Sequence, residues 1–330
     1  MSALTVVFLP QPGSDDIWRD RVRTHVHPRH VFRVLDAQAD LAGQLADADV
    51  VIDAGGSVGT REMLDVADSV RLWQILGTGI DHFDLDYWTA RGVPVANCPG
   101  PMSAVALAEH ALMLMLMVLR RIPQAQHNLT VGELYRPVGA ELEGRRLGLV
   151  GFGSSARELS VRASAMGMRV RAVDLRPVDL AEARRWGAER VDGVESLDRM
   201  LAEVDVVSLH LHLTPATTHT LSAERLRLLP ASGVVINVSR GALIDEEALA
   251  DALWRGELAG AGLDVFAVEP PDPRSRLLTH PGVVSTPHVA GVTDGTADRR
   301  ARGASENVER VAAGLVPLHL VNDVRVQPAR

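Results

Sequence analysis

The segment RLGLVGFGSSA at residues 146–156 decides the fold of this 330-residue chain. A continuous apolar run ends there in a glycine turn, and the turn opens a helical pattern. Gly151 permits the tight turn, Gly153 removes a side chain where a phosphate group must approach the backbone, and Ala156 is small enough for the helix to pack on the strand. The free N–H groups at the start of the helix favour an anion. The segment therefore predicts a βα unit that binds the pyrophosphate of a dinucleotide.

An acidic residue about 20 positions further on strengthens this prediction. Asp174 ends the next apolar run, where a carboxylate can bind the ribose hydroxyls of the adenosine half. The same charge repels a 2′-phosphate, so NAD is favoured over NADP, although Arg176 could soften the preference. Ser154 and Ser155 follow the second glycine and are further predicted cofactor contacts. A methyltransferase that binds S-adenosylmethionine uses a related turn and is an open alternative.

The rest of the chain alternates between short apolar runs and helical patterns, which is typical of βαβ units around a parallel sheet. The runs are continuous, as in strands that are covered on both faces. The predicted strands are 4–9, 49–53, 72–76, 93–96, 146–150, 169–174, 205–211, 234–238, 262–266 and 283–285. The predicted helices are 39–48, 83–91, 103–121, 156–166, 180–186, 222–229, 246–255 and 306–315. The fold class is α/β, with two doubly wound parallel-sheet domains joined by long helices.

Length and composition limit the class of protein. The 330 residues suggest two domains of roughly 100–200 residues each. The chain is 46% hydrophobic and 23% charged, as a globular protein is, and its net charge of −8 argues against nucleic acid and anionic membranes as partners. The single cysteine, Cys98, excludes an internal disulfide and is predicted to be buried. The N-terminus has no signal-peptide pattern, so the cytoplasm is the expected compartment.

Three ionisable residues follow predicted strands of the second assembly: Arg240, Glu269 and His288. The carboxyl ends of parallel strands form a ligand crevice, so these side chains are expected to converge. Reduction of a 2-keto acid requires a hydride at the alpha carbon and a proton on the carbonyl oxygen. A histidine can supply that proton, a carboxylate can orient the histidine ring, and an arginine can clamp a substrate carboxylate. Each residue taken alone could be an ordinary loop residue, but their common position favours a site.

These residues and the segments around them resemble the D-isomer-specific 2-hydroxyacid dehydrogenases, a family with D-lactate, glycerate (hydroxypyruvate reductase) and phosphoglycerate members. The resemblance covers most of the chain. The motifs that carry it are LGTGIDHFD at 76–84, NCPG at 97–100, VALAE at 105–109, NVSRG at 237–241, LDVFAVEP at 263–270 and TPHVAG at 286–291.

The resemblance implies a domain organisation and a set of roles. A flavodoxin-like substrate domain, discontinuous over residues 1–99 and 292–330, would surround a Rossmann NAD domain at 100–291, and the protein would be a homodimer. His288 would be the acid and base, Glu269 its partner and Arg240 the carboxylate binder. Further implied contacts are Asp264, Thr214 and Val238 with the cofactor, and the backbone around Ser57 and Gly79 with the substrate carboxylate.

The predicted substrate loop at 53–59 has no Lys or Arg before Arg61, and a phosphorylated substrate would need cationic donors there. Acids such as glyoxylate and hydroxypyruvate are therefore favoured over phosphoglycerate, and Glu269 disfavours formate because formate dehydrogenases have Gln there. An alternative class is an NADH-sensing protein without turnover, as in corepressors that share this fold. No metal-ligand spacing is present, since His25, His27 and His30 are predicted to lie at the surface.

Overall fold

The computed structural model describes residues 3–55, 58–176 and 178–324. The chain divides into two compact units, and each is described by itself. Unit 1 comprises residues 1–102 and 292–330, and unit 2 comprises residues 103–291. Within the described ranges, no helix has the continuous apolar length that a membrane span requires.

Both units consist of strands and helices that alternate along the chain, so the predicted α/β class is confirmed. The strands are β1 (Thr5–Leu9), β2 (Val31–Val34), β3 (Val50–Asp53), β4 (Leu72–Ile75), β5 (Val95–Ala96), β6 (Arg146–Val150), β7 (Arg169–Val173), β8 (Ala188–Asp192), β9 (Val206–Leu209), β10 (Val234–Asn237), β11 (Gly260–Leu263) and β12 (Val283–Ser285). The helices are α1 (Ile17–Val26), α2 (Leu41–Leu45), α3 (Arg61–Asp65), α4 (Leu85–Ala90), α5 (Ala104–Leu119), α6 (Ile122–Thr130), α7 (Ser154–Ala165), α8 (Leu180–Arg185), α9 (Leu197–Glu203), α10 (Ala223–Leu226), α11 (Glu246–Trp254) and α12 (Asp294–Ala312).

The two sheets are parallel throughout and differ in strand order. The five strands of unit 1 follow the order β2-β1-β3-β4-β5, which is the flavodoxin-like order. The seven strands of unit 2 follow the order β12-β11-β10-β9-β6-β7-β8, which is the Rossmann order with one strand added. The direction of winding reverses between the neighbouring strands β6 and β9. Loops diverge at such a switch point, so the glycine turn after β6 lies where this fold class binds ligands.

The inner strands form because helices cover both faces of each sheet. β3, β4, β9, β10 and β11 are buried at every residue. Helix α5 packs closely on one face of the unit 2 sheet, because a Cβ on Gly262 in β11 would lie 2.8 Å from the Cβ of Leu114. Helix α5 also packs against β10 and β12, so it supports the three strands after which the candidate catalytic residues lie.

The predicted strands agree with the structure within about three residues at each end, but the pattern does not predict β2 and β8. Both are edge strands, and their residues are only partly buried, so neither shows a continuous apolar run. The prediction for the last helix is also wrong, because α12 begins at Asp294 and not near residue 306. The part of α12 before residue 306 is mostly polar, and its buried residues are small: Thr296, Ala297, Ala301 and Ala304.

Two predictions about burial have opposite outcomes. Cys98 is buried as predicted, and burial raises the pKa of its thiol to about 11. The surface prediction is wrong for His30, which is 6% exposed and accepts a hydrogen bond at Nδ1 from the Leu4 N–H at 3.2 Å. His25 is partly buried against Asp298 of α12, at 3.2 Å. The segment is covered because α1 packs along α12.

Candidate active site

The glycine turn after β6 needs its two glycines for different reasons. Gly151 has a φ of 91°, and a Cβ there would lie 2.4 Å from the carbonyl oxygen of His210, so the fold itself requires glycine. Gly153 has an ordinary φ of −76°, and a Cβ there would meet no atom within 4 Å. Since the protein itself would tolerate a side chain at Gly153, the open space there suits a ligand that approaches the backbone. Ala156 is fully buried, which lets α7 lie close to the sheet.

Asp174 ties this turn to the end of β7. Its Oδ2 accepts a hydrogen bond from the Phe152 N–H at 2.7 Å, and its Oδ1 accepts one from the Arg176 N–H at 2.8 Å. The guanidinium of Arg176 is mostly exposed and lies 3.7 Å from Oδ1. The carboxylate therefore stands at the rim of the turn, where free lone pairs can accept ribose hydroxyls and its charge opposes a 2′-phosphate. These residues fit NAD, and the individual contacts stay predictions.

The other predicted cofactor residues also follow carboxyl ends of strands in unit 2. Ser154 and Ser155 are the first two residues of α7. Thr214 is exposed in the loop after β9, and its N–H donates to Thr217 Oγ1 at 2.8 Å. Val238 is buried directly after β10. All of them lie on the same side of the sheet as the glycine turn, at the carboxyl ends of the strands. Their contacts with a cofactor stay predictions.

His288 and Glu269 are in direct contact. His288 Nδ1 lies 2.8 Å from Glu269 Oε2, with the two side chains 46% and 38% exposed. Burial alone would raise the pKa of Glu269, but the hydrogen bonds from His288 and the Phe266 N–H and the charges of His288 and Arg240 outweigh it and hold that pKa below its ordinary value. Glu269 is therefore ionised at neutral pH and orients the ring through Nδ1. His288 Nε2 is left to exchange a proton with a substrate.

Arg240 lies in a turn after β10 that Asn237 fixes. Asn237 Nδ2 donates to the Arg240 carbonyl at 2.8 Å, and Asn237 Oδ1 accepts from the Ser239 N–H at 3.0 Å. A Cβ on Gly241 would lie 1.9 Å from the carbonyl carbon of Phe266, so glycine lets this turn touch the loop that leads to Glu269. Arg240 is half-buried, and its charge acts on the Glu269 carboxylate. The structure thus brings the three predicted catalytic side chains to one region of unit 2.

Asp264 stands directly after β11, is fully buried, and holds the loop that carries His288. Its carbonyl oxygen accepts the His288 N–H at 2.8 Å. Its two carboxylate oxygens accept from three further donors: Thr286 Oγ1 at 2.6 Å, Val289 N at 2.8 Å and Ala290 N at 2.8 Å. These bonds stabilise His288 at a φ of 55°, which is uncommon for a residue other than glycine. The contact of Asp264 with a cofactor stays a prediction, whereas its support of this loop is visible.

Sequence reasoning does not find two further histidines of this region. His110 in α5 lies with Nε2 2.8 Å from Thr286 Oγ1, and His210 after β9 lies between two serine hydroxyls. Burial lowers the pKa of both, that of His210 to about 4. The alternation SLHL at 208–211 could have indicated His210, because residues two apart in a strand share a face. No such signal exists for His110, whose partner is 176 positions away.

In unit 1, two described residues of the predicted substrate loop bond to Asp53. The buried carboxylate accepts hydrogen bonds from the N–H groups of Gly55 at 3.2 Å and Gly59 at 2.9 Å. Ser57 lies outside the described residues. Gly79 is part of the loop after β4, where the Gly77 carbonyl accepts the Cys98 N–H at 2.9 Å. The substrate contacts of Ser57 and Gly79 stay predictions.

Across the part of the chain that the structure describes, no group of three or more His, Cys, Asp or Glu side chains could hold a metal ion. The carboxyl ends of the unit 2 strands bring together a proton donor with an oriented ring, a cation beside it and a dinucleotide turn. This combination can serve a proton-coupled hydride transfer.

Comparison with known proteins supports this interpretation. The family profile described as D-isomer specific 2-hydroxyacid dehydrogenase, NAD binding domain, matches residues 112–290, which lie within unit 2. The match favours a nicotinamide dinucleotide at the glycine turn over the S-adenosylmethionine alternative.

Relatives match over most of the chain. A glyoxylate reductase from Korarchaeum cryptofilum is 34% identical over 95% of this chain and 91% of its own length. A D-3-phosphoglycerate dehydrogenase from Methanocaldococcus jannaschii is 34% identical over 86% of this chain, which spans about half (53%) of that relative. The solved structure of an NADPH-dependent glyoxylate/hydroxypyruvate reductase from Sinorhizobium meliloti, in complex with NADP and malonate, is 27% identical with a TM-score of 0.81, covering 100% of this chain and 99% of that chain.

Proposed function

The chain belongs to the D-isomer specific 2-hydroxyacid dehydrogenase family, and from this premise we propose that it transfers a hydride between NAD(H) and the alpha carbon of a small D-2-hydroxy or 2-keto acid. The observation that carries the proposal is the 2.8 Å contact of His288 Nδ1 with the Glu269 carboxylate, with the Arg240 charge beside it, in the NAD-binding unit. Membership alone does not assign catalysis to this chain, but an oriented acid next to a cation supports it.

The three side chains divide the work of the reduction. When bound, NADH supplies the hydride. Arg240 pairs with the substrate carboxylate and polarises the carbonyl group next to it. His288 donates a proton from Nε2 to the carbonyl oxygen, and Glu269 orients the ring and stabilises its charged form. In the oxidation, His288 takes the proton back from the hydroxyl group.

Glyoxylate and hydroxypyruvate are the proposed substrates, and NADH is the proposed cofactor. The first cation after the substrate loop, Arg61, donates to Asp84 at 2.6 Å and stacks on Tyr87, so it is already engaged. A phosphate group would have to compete for it, which supports an unphosphorylated acid. The Asp174 carboxylate at the rim of the glycine turn supports NADH over NADPH.

Unit 1 is the proposed substrate domain, with backbone N–H groups around Ser57 and Gly79 as carboxylate donors. We also propose a cytoplasmic homodimer that associates through unit 2. Apolar side chains at the end of α6 and just after it support this, because a row of them is exposed: Leu129, Val131, Leu134, Tyr135 and Val138. Light scattering of the purified chain tests the dimer.

A reduction screen tests the function. The full chain is assayed with glyoxylate, hydroxypyruvate, pyruvate and longer 2-keto acids, each with NADH and with NADPH in parallel. We expect the highest kcat/KM with glyoxylate or hydroxypyruvate and NADH. A chain that binds NADH tightly but reduces none of these acids would be a dinucleotide-sensing protein, and the proposal would be wrong.

A further inference from the structure

A series of hydrogen bonds runs beneath the glycine turn of unit 2. The His210 ring lies between two hydroxyl groups, with Ser155 Oγ 2.9 Å from Nδ1 and Ser208 Oγ 3.0 Å from Nε2. The His210 backbone is fixed as well, because its N–H donates to the Val150 carbonyl at 2.8 Å and its own carbonyl excludes a side chain at Gly151. The ring therefore has a defined position under the turn.

Ser208 determines which ring nitrogen carries the proton. Its hydroxyl is fully buried, and His210 Nε2 is its one hydrogen-bond partner among the described residues. Burial lowers the pKa of His210 to about 4, so the ring is neutral at neutral pH and has one donor and one acceptor nitrogen. If Nε2 is unprotonated, it accepts the hydrogen bond that the Ser208 hydroxyl donates. If Nε2 carries the proton and donates it to Ser208 Oγ, the buried hydroxyl proton of Ser208 has no acceptor, which is unfavourable.

The preferred tautomer has a consequence for Ser155. Nδ1 of His210 carries the proton and donates it to Ser155 Oγ, so the proton of the Ser155 hydroxyl is available to another acceptor. Ser155 is the second residue of α7, in the first turn, where backbone N–H groups have no acceptor within the helix. Gly153 lies two positions before it, and a Cβ added to Gly153 would meet no atom within 4 Å. An acceptor of negative charge fits this end of the helix.

We propose that Ser208 and His210 are positioning residues that hold the Ser155 hydroxyl as a hydrogen-bond donor to the pyrophosphate of the bound dinucleotide. The inference rests on the proposed use of NAD(H) and adds to it the side chains that select the anion. Neither residue 154 nor residue 155 is cationic, so a hydroxyl donor with a fixed orientation supplements the backbone N–H groups. A hydrogen bond to a charged acceptor is stronger than one between neutral groups.

Binding measurements on the full chain test the donor. Ser155→Ala is expected to weaken NADH and ADP-ribose by about 10-fold, the loss of one hydrogen bond to a charged group. Adenosine, which has no phosphate, should bind unchanged, and Ser155→Thr should restore most of the affinity for NADH. Ser164→Ala, at the far end of α7, is the matched control and should change none of the three dissociation constants. Equal losses for adenosine and NADH, or no loss for either, would overturn the proposal.

Two replacements of His210 test whether its Nδ1–H orients the Ser155 hydroxyl. Asn places an amide near Nδ1 and keeps a donor to Ser155, whereas Gln places its amide near Nε2 and does not. His210→Asn should therefore retain NADH affinity better than His210→Gln. Nitrogen NMR of the unchanged chain provides a second test, because the His210 ring should be the Nδ1–H tautomer, and the Nε2–H tautomer would contradict the inference. These readouts need no turnover, so a chain that binds NADH through Ser155 but reduces no keto acid refutes the proposed function alone. A chain that does not bind NADH refutes both.

Discussion

The two halves of the unit 2 sheet end in different kinds of structure. The binding half, after β6, β7 and β9, is made of backbone N–H groups, glycines and mostly uncharged side chains around Gly151 and His210, with one carboxylate, Asp174, at its rim. The catalytic half, after β10, β11 and β12, presents charged side chains that are half-exposed, with a buried carboxylate, Asp264, behind them. In the binding half, the glycine that the fold requires, Gly151, lies two positions from the glycine that leaves room for the ligand, Gly153. In the catalytic half the supporting and the reacting groups are separate, so rate and stability should respond to different substitutions.

The largest effect is expected at the reacting group of the catalytic half. His288→Ala removes the proton donor and should lower kcat by roughly 10²- to 10⁴-fold, the range for a general acid. The Kd for NADH and the melting temperature should change little, because the side chain is half-exposed. Steady-state kinetics, fluorescence titration and thermal melting check this. His127→Ala, an exposed histidine of α6, is the control, and full turnover by the His288 variant would contradict the role.

Glu269→Gln should have the next largest effect. The uncharged amide weakens the bond to His288, so kcat/KM at neutral pH should fall about 10- to 100-fold, the value of a hydrogen bond to a charged group. The folded pKa of Glu269 lies below its ordinary 4.5, so its contribution is complete above that value and is lost as the pH falls through the lower one.

The parent and variant rates should therefore converge only below about pH 4.5 in a pH profile of kcat/KM. Glu247→Gln is a matched control, because that carboxylate is 89% exposed. Equal rates at pH 7 would remove Glu269 from the site.

Two alanine substitutions in the binding half distinguish a glycine that stability requires from a glycine that ligand binding requires. Gly151→Ala should lower the free energy of unfolding by about 1–3 kcal/mol, because the new methyl group meets the His210 carbonyl. Gly153→Ala should leave stability nearly unchanged and weaken NADH on the order of 10-fold, or about 1.4 kcal/mol, because it occupies space near the pyrophosphate. Chemical denaturation and NADH titration of both variants check the contrast. If Gly153→Ala binds NADH as tightly as the parent, the open space at Gly153 has no role in binding, and if it loses as much stability as Gly151→Ala, the fold requires both glycines.

The smallest effect is expected for Asp174→Asn, which removes a charge and retains an acceptor for the Phe152 N–H. The ratio of the NADPH to the NADH dissociation constant should fall about 5-fold, since one screened charge interaction is worth about 1 kcal/mol. Paired titrations with the two cofactors measure the ratio. An unchanged ratio would show that Asp174 does not face the 2′ position.

The sequence predicts what depends on local pattern and misses what depends on distant contacts. The inner strands and the glycine turn follow from apolar runs. The positions of Arg240, Glu269 and His288 follow from the rule that the carboxyl ends of parallel strands lie on the same side of the sheet. The edge strands β2 and β8 lack that pattern because one side of each has no neighbour. The bonds of Asp264 to Val289 and Ala290 depend on the β11–β12 pairing, which no local pattern encodes.

The structure at the end of β11 determines how this protein would lose activity on heating. Asp264 anchors the segment that carries His288, and the Phe266 N–H, two residues later, anchors Glu269 Oε1 at 3.0 Å. The acid and its partner thus share a single attachment, beside β12, a three-residue strand at the border of the sheet. Fraying of that border on heating would release both groups together. Thermal inactivation would then follow the opening of one corner of unit 2, at a lower temperature than the unfolding of its core.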